Sequence, residues 1–142
     1  MPYDPQEHHR RSVRLKGYDY SWTGYYFVTI CTQRRQPLLG RIENEDMILS
    51  AAGAAVQSVW EGLPSRWPEV GLDAFVIMPN HLHGIITLRT WQLGVGSSKK
   101  DEGAINRAPT PPSLGEIVRT FKGASTHQIR QACLRDFSWQ RN

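Results

Sequence analysis

The chain has 142 residues, of which 39% are hydrophobic and 21% charged, a size and composition typical of one globular domain. Its net charge of +4 is compatible with a polyanionic partner but does not identify one. No apolar run approaches the roughly 20 residues of a membrane span, no secretory signal opens the chain, and the two cysteines, Cys31 and Cys133, cannot form a disulfide framework and are predicted to be buried thiols in a reducing cytoplasm.

The first 20 residues are predicted to form a basic arm. Its cations lie just before Tyr18 and Tyr20, and they are Arg10, Arg11, Arg14 and Lys16. Basic residues mixed with aromatic ones suit phosphates and unstacked bases, respectively. A solvated arm without a partner is the alternative, and a second basic stripe later in the chain favours nucleic acid.

Four elements are predicted in the first part of the chain. Residues 25–32 are rich in aromatic and β-branched side chains and predict a strand, with a turn marked by Pro37 and Gly40. Residues 50–63 repeat apolar side chains at helical spacing, and Pro64 is expected to end this helix. Residues 72–78 are apolar on both faces, which predicts an interior strand.

His81 and His83 begin the next predicted strand, which runs to Leu88 after a turn at Pro79 and Asn80. Side chains alternate along a strand, so the two imidazoles should point the same way, with Cα atoms roughly 6.5 to 7 Å apart. Two such rings can bind one metal ion. Hydrogen-bonded core histidines are the alternative, because His-x-His alone is a moderate signal.

The last part of the chain predicts a loop, a helix and a strand. Residues 93–112 are rich in Gly, Ser and Pro and predict a long flexible loop. A Ser113–Glu116 capping box should begin a helix that runs to about residue 134. Its inner side is predicted to carry Leu114, Ile117, Phe121, Ala124, Gln128 and Ala132, widened by Val118, Ile129 and Cys133. Its basic stripe is predicted to carry Arg119, Lys122, Thr126 and Arg130. Residues 137–142 predict the start of another strand.

The resulting order of elements is β-α-β-β-α-β in a single domain, residues 1–142. This order predicts an α+β fold of the ferredoxin-like type, with helices on one face of an antiparallel sheet.

Several separated segments together resemble one family. Residues 78–84 (MPNHLHG) look like the His-hydrophobic-His (HUH) motif of single-tyrosine transposases. Residues 11–15 (RSVRL), 18–20 (YDY) and 24–29 (GYYFVT) resemble the opening of the REP-associated tyrosine transposases. Residues 113–130 resemble the helix after their HUH strand, and residues 139–142 (WQRN) resemble the strand before their catalytic helix.

The resemblance implies a DNA transposase. Its partner would be single-stranded or hairpin DNA, and His81 and His83 would hold a divalent metal, Mg or Mn, beside the scissile phosphate. A tyrosine would attack to give a 5′-phosphotyrosine and a free 3′-hydroxyl. Two histidines would hold Mg weakly, so a third protein ligand is expected. Such a protein would be cytoplasmic and associated with the nucleoid, and the resemblance leaves open whether two copies form a homodimer.

The catalytic residue is unknown within the chain. All five tyrosines precede the HUH strand, so the nucleophile is expected beyond Asn142, and Tyr25 and Tyr26 are interpreted as packing residues. The chain alone is therefore predicted not to cleave DNA. The expected DNA-binding residues are Arg10, Arg11, Arg14, Lys16, Asn80, Arg119, Lys122 and Arg130. Two alternatives stay open: a non-catalytic DNA-hairpin-binding module, and a zinc hydrolase unrelated to DNA, which would leave the basic segments unexplained.

Overall fold

The computed structural model describes residues 14–89 and 111–141. Arg10, Arg11 and most of the predicted loop 93–112 therefore lie outside the described residues. The elements in chain order are β1 (Gly24–Cys31), a 3₁₀ turn (Gln33–Arg35), β2 (Gly40–Glu43), β3 (Asp46–Leu49), α1 (Ala51–Glu61), α2 (Leu63–Arg66), β4 (Val70–Met78), β5 (His81–Leu88) and α3 (Leu114–Ala132). The fold is α+β, as predicted.

A three-stranded antiparallel sheet, in the order β1-β5-β4, forms the centre of the fold. β4 and β5 form the predicted hairpin, and β5 is the central strand. The prediction that residues 72–78 form an interior strand is wrong, because within the described residues β4 pairs with β5 alone. Its register shifts between Leu72 and Phe75, and Asp73 and Ala74 are exposed there. A kinked, partly polar strand suits the edge of a sheet.

The helices pack on one face of this sheet, which holds the hydrophobic core. The inward side chains of β5 are Leu82, Gly84, Ile86 and Leu88, and all four positions are buried. Trp60 of α1 is 1% exposed and contacts Phe121 of α3 edge to face, at a ring-centroid distance of 5.5 Å. The other face of the sheet carries the alternate residues of each strand and includes both candidate histidines.

The C-terminal segment, which was predicted to start another strand, lies beside the end of β1. Trp139 forms an isolated antiparallel bridge with Thr32. The Gln140 N–H donates to the Cys31 carbonyl at 2.8 Å, and the Gln33 N–H donates to the Ser138 carbonyl at 2.9 Å. The described part of this segment is a short fragment rather than a full strand, and it completes the β-α-β-β-α-β order.

The first half of the chain differs from the prediction in two places. β2 and β3 form a separate hairpin that was not predicted, and its turn places Asn44 and Glu45 at φ 50° and 69°. The first long helix ends at its C-cap Gly62, and Pro64 lies in the first turn of α2 instead of ending α1.

In α3 the capping box is present, with Ser113 and Glu116 bonded reciprocally. Much of the predicted inner side is buried, but Ala124, Gln128, Ala132 and Cys133 are exposed. The buried side includes Ile129, as predicted, and also Ser125, which was not predicted there. The prediction of buried thiols is therefore wrong for Cys133, while Cys31 is partly exposed. Among the described residues, no helix combines the length and apolar character needed to cross a membrane.

Candidate functional site

His81 and His83 lie side by side on the face of the sheet opposite the helices. Their ring centroids are 4.7 Å apart, and their planes meet at 75°. Leu82, between them in sequence, is fully buried on the opposite face. The expected convergence of the two rings is therefore present, and both rings are partly exposed rather than sealed in the core. Their role as metal ligands stays a prediction.

Each ring is held through its Nδ1 atom. Asn80 Oδ1 lies 2.7 Å from His81 Nδ1, and because an amide oxygen only accepts, this Nδ1 carries the proton. Thr29 Oγ1 on β1 lies 2.8 Å from His83 Nδ1. Within the described part of the chain, Nε2 of each ring is left without a hydrogen-bond partner. In His81 this atom carries the lone pair that a metal would use, and in His83 it does so when the Thr29 hydroxyl accepts from Nδ1.

The surroundings of His81 favour its neutral form. Burial lowers its pKa below 6.5, and the neighbouring His83 and Arg35 lower it further. A metal binds only the neutral imidazole, so protons compete weakly at this position near neutral pH.

The donor set fits a divalent ion held by two imidazoles and completed from outside. The described residues contain no group of three or more His, Cys, Asp and Glu side chains that could enclose a metal. Mg and Mn prefer oxygen ligands, whereas imidazole alone suits zinc-like ions. Oxygen ligands from outside the described residues, such as water, would therefore have to supply the remaining positions.

A basic groove of about 680 Å³ lies between α3 and the C-terminal segment. We call it the α3 groove, and it is lined by Arg119, Lys122, Gly123, Thr126, His127, Arg130, Gln131, Ser138, Trp139, Gln140 and Arg141. The predicted basic stripe therefore forms one wall of this groove, and residues 138–141 of the C-terminal segment form the other.

Two cations of the α3 groove also hold it together. Lys122 Nζ donates to the Gln140 carbonyl at 3.0 Å, and Arg130 Nε donates to the Phe137 carbonyl at 2.8 Å. Burial lowers the pKa of Lys122; the nearby Cys31 opposes this shift and Arg14 adds to it. Arg119 and Arg130 are both exposed on this wall, whereas Lys122 is partly buried.

The structure brings one of the two described arm cations to this wall. The Arg14 guanidinium lies against Gly115, within 3.6 Å of where a Cβ would stand. Gly115, Arg119 and Lys122 are spaced by four and three residues and share one side of α3. Arg14 therefore joins the basic stripe. Lys16 is exposed, and no contact among the described residues links it to this surface.

Asn80 has a more specific place than the predicted DNA contact. Its Oδ1 accepts from His81, and its Nδ2 donates to the Arg35 carbonyl at 3.3 Å. The structure thus gives Asn80 a positioning role for His81, while a direct DNA contact stays a prediction.

Sequence reasoning missed three neighbours of the histidines. Thr29 orients His83, Arg35 lies close enough to affect His81, and the Phe27 ring stacks on His83 with centroids 5.3 Å apart. Tyr25 is also on this face and is 76% exposed, so its interpretation as a packing residue is wrong. Tyr26 is buried, as interpreted. The alternation of residues 25, 27 and 29 along β1 was the signal available for this face.

The fold and site define an α+β domain with a histidine pair on its open sheet face and a basic groove beside α3. No family model matches the chain. An uncharacterized protein of Haemophilus influenzae is 41% identical over 142 residues, covering 99% of this chain and 79% of that protein. The chain belongs to the same family as this Haemophilus protein.

Two solved structures are similar at lower levels. One is a REP-associated tyrosine transposase bound to a REP hairpin, with 18% identity and a TM-score of 0.48, covering 94% of this chain. The chain spans 59% of the length of that transposase. The other is a transposase candidate from Deinococcus radiodurans, with 12% identity and a TM-score of 0.47, covering 92% of this chain and 86% of that one.

Proposed function

We propose that this protein is a transposase-type domain that binds single-stranded or hairpin DNA and holds a divalent metal, Mg or Mn, between His81 and His83. The observation that carries the proposal is the geometry of the pair. Two imidazoles lie side by side on an open face, each bonded through Nδ1, and neither Nε2 has a hydrogen-bond partner among the described residues. Structural core histidines would instead have both ring nitrogens satisfied inside the protein.

The position of the α3 groove supports DNA as the partner. Lys122 lies near enough to Cys31 for an electrostatic interaction, and Cys31 pairs with His81 in the register of β1 and β5. Lys122, one of the groove cations, therefore lies near the same end of β1 as the histidine pair. Phosphates along the groove would bring the nucleic acid backbone toward the metal, where a phosphate oxygen would supply the hard ligand that the histidines lack.

The metal, when bound, would polarise a phosphate and stabilise charge that develops on it. The protein's own residues would orient this site. Asn80 fixes the tautomer and direction of the His81 ring, and Thr29 orients the His83 ring, as partners in the outer shell of metal sites commonly do. Arg35 would add positive charge beside the same phosphate.

Cleavage through a phosphotyrosine needs a nucleophile that the described tyrosines do not provide. Burial and a hydrogen bond with Tyr18 raise the pKa of Tyr26 to about 12, and its hydroxyl lies 2.7 Å from the Trp22 carbonyl, to which it donates. Tyr25 lies on the sheet face that carries His81 and His83, which we call the histidine face. It is four positions from Thr29, the residue opposite His83, which corresponds to roughly 13 Å along the strand. Because neither Tyr25 nor Tyr26 is placed as a nucleophile, the second candidate function is a module that binds DNA hairpins without cleaving them.

The metal site is tested by titrating the protein with Mn²⁺ and following the free-ion electron paramagnetic resonance signal. The titration is done alone and with a palindromic DNA hairpin that carries a single-stranded flank. We expect DNA to tighten Mn²⁺ binding, and His81→Ala or His83→Ala to weaken it at least about tenfold. His127→Ala is the matched control in the titration without DNA, because His127 is an exposed histidine of the α3 groove outside the pair. Equal Mn²⁺ affinity in all variants would contradict the metal site.

The DNA partner is tested by measuring hairpin affinity against salt concentration. Arg119→Gln should weaken binding and reduce the salt slope by about one, as the loss of one phosphate contact predicts. Arg41→Gln on β2 changes the net charge equally and should leave the slope unchanged. A gel assay for a covalent protein–DNA adduct with Mn²⁺ distinguishes a cleaving enzyme from a module that only binds DNA. We expect no adduct from this polypeptide alone, and its detection would favour the complete enzyme over the binding module.

A further inference from the structure

We propose that Phe27 and Tyr25 form a stacking platform for unpaired nucleobases beside the histidine pair. This inference rests on the proposed DNA-binding function and specifies which form of DNA the histidine face accepts. The platform consists of the Phe27 and Tyr25 rings together with the His83 imidazole against which Phe27 lies.

The exposure of these rings is the first observation. Tyr25 and Phe27 are 76% and 68% exposed, although both lie in β1 and pair with residues of β5. They are two residues apart on one face, which spaces their Cα atoms by roughly 6.5 to 7 Å. Successive aromatic side chains on an open sheet face are a recurring arrangement for stacking successive bases of a single strand.

The orientation of the rings is the second observation. Phe27 and His83 are stacked, with an interplanar angle of 23° and centroids 5.3 Å apart. The imidazole that would bind metal through Nε2 therefore packs against the phenyl ring that would bind a base. A phosphate at the metal and a base on Phe27 can then belong to one nucleotide or to two neighbours.

The composition of the face argues for a nucleobase rather than a protein partner. The aromatic rings adjoin polar neighbours, since Thr29 and Thr87 share the outward side of β1 and β5. Val76, 46% exposed, is the outward residue of β4 paired with His83. On the outward side of β5, Ile85 lies opposite Phe27, and His83 and Thr87 flank it. Polar side chains therefore interrupt the apolar ones, whereas the core of a stable protein interface is continuously apolar. A nucleobase is the aromatic group that comes attached to the phosphate the neighbouring histidines and Arg35 would attract.

The platform gives a selectivity rule. Bases inside a duplex already stack on both faces, so they cannot reach Phe27 without unpairing. DNA should therefore be unpaired where it passes the histidine pair, even if the adjoining part is a hairpin held elsewhere.

The experiment compares two probes with the same phosphates and different bases. Fluorescence anisotropy measures binding of a short oligothymidylate and of an abasic strand of equal length, both with Mn²⁺. We expect Phe27→Leu to weaken oligothymidylate binding by about 5- to 150-fold, the usual cost of losing one stacked base. Phe27→Leu should leave binding of the abasic strand unchanged. Phe27→Trp, which keeps an aromatic ring, should bind oligothymidylate in preference to the abasic strand as the wild type does. The salt slope should be the same in Phe27→Leu and wild type, because no phosphate contact is lost.

Trp22→Leu is the matched control for exposed aromatic residues. Trp22 is 58% exposed but packs beside Tyr18, away from β1's outward row, and its loss should leave both affinities unchanged. Equal oligothymidylate affinity in Phe27→Leu and wild type, with DNA still bound, would overturn the platform and leave the proposed function intact. Absence of binding to any DNA would overturn both. A dimer seen in sedimentation that Phe27→Leu dissociates would assign the face to a second copy and overturn the platform.

Discussion

Gly84 lies on the helix-facing side of β5, where a side chain would collide with Trp60. A Cβ built on Gly84 would overlap Trp60 Cζ2 and lie 2.7 Å from Cη2, where ordinary contact begins near 3.4 Å. The indole cannot easily withdraw, because Trp60 is 1% exposed and packs against Phe75 and Phe121. Overpacking of a well-filled core costs about 1–3 kcal/mol. We expect Gly84→Ala to destabilise by about 3 kcal/mol, because a rigid ring must move.

Urea unfolding followed by far-UV circular dichroism measures this cost. Gly123→Ala is the matched control, since Gly123 lies inside α3 with open space around it and should gain up to about 1 kcal/mol of helix propensity. A smaller ring should relieve the collision, so Gly84→Ala should cost less in a Trp60→Phe background, with a coupling energy of about 0.5–3 kcal/mol. A Gly84→Ala protein as stable as wild type, or strictly additive effects of the two changes, would refute the reasoning.

Three further predictions concern the site and its support. Asn80→Ala should weaken Mn²⁺ binding about 10- to 100-fold, because His81 loses the partner that orients its ring. Asn80→Asp should retain more affinity, because a carboxylate still accepts from Nδ1. Mn²⁺ titrations of both variants check this. Since burial holds the pKa of His81 below its ordinary 6.5, the unfolded chain binds more protons, and stability should fall as the pH drops below about 6.5. Urea unfolding across that range should show a weaker pH dependence in His81→Gln, and an identical profile would contradict the assignment. Ser113→Ala should cost about 1 kcal/mol by removing the N-cap of α3, measured by the same unfolding assay, and an unchanged midpoint would count against the capping box as a stabilising element.

The sequence predicts best where a local pattern and the tertiary environment agree. β5 begins at His81 and ends at Leu88 as expected, because alternating burial along a strand is already visible in the order of its side chains. The start of α3 was equally readable, since Ser113 and Glu116 satisfy each other's backbone groups without help from the rest of the fold.

Other features depend on partners distant in sequence, and local patterns miss them. Ser125 is fully buried on α3 because its hydroxyl donates to the Phe121 carbonyl and accepts from the Trp139 indole at 2.9 Å. No helical pattern places a serine in the core without knowledge of Trp139. The β2–β3 hairpin was missed for a different reason. Its turn puts a glutamate, Glu45, at φ 69°, where the usual signal would be glycine or asparagine.

The candidate site exists only in one register of β1 against β5. Thr29 lies opposite His83 and Cys31 opposite His81, which places the hydroxyl on Nδ1 of His83 and the α3 groove beside His81. A slip of one residue would turn Thr29 toward the helices and bring a core residue to the histidines. The buried residues of β5 prevent that slip, because Leu82 and Ile86 are fully buried on the other side. The core therefore fixes the register, and the register brings the Thr29 hydroxyl to Nδ1 of His83.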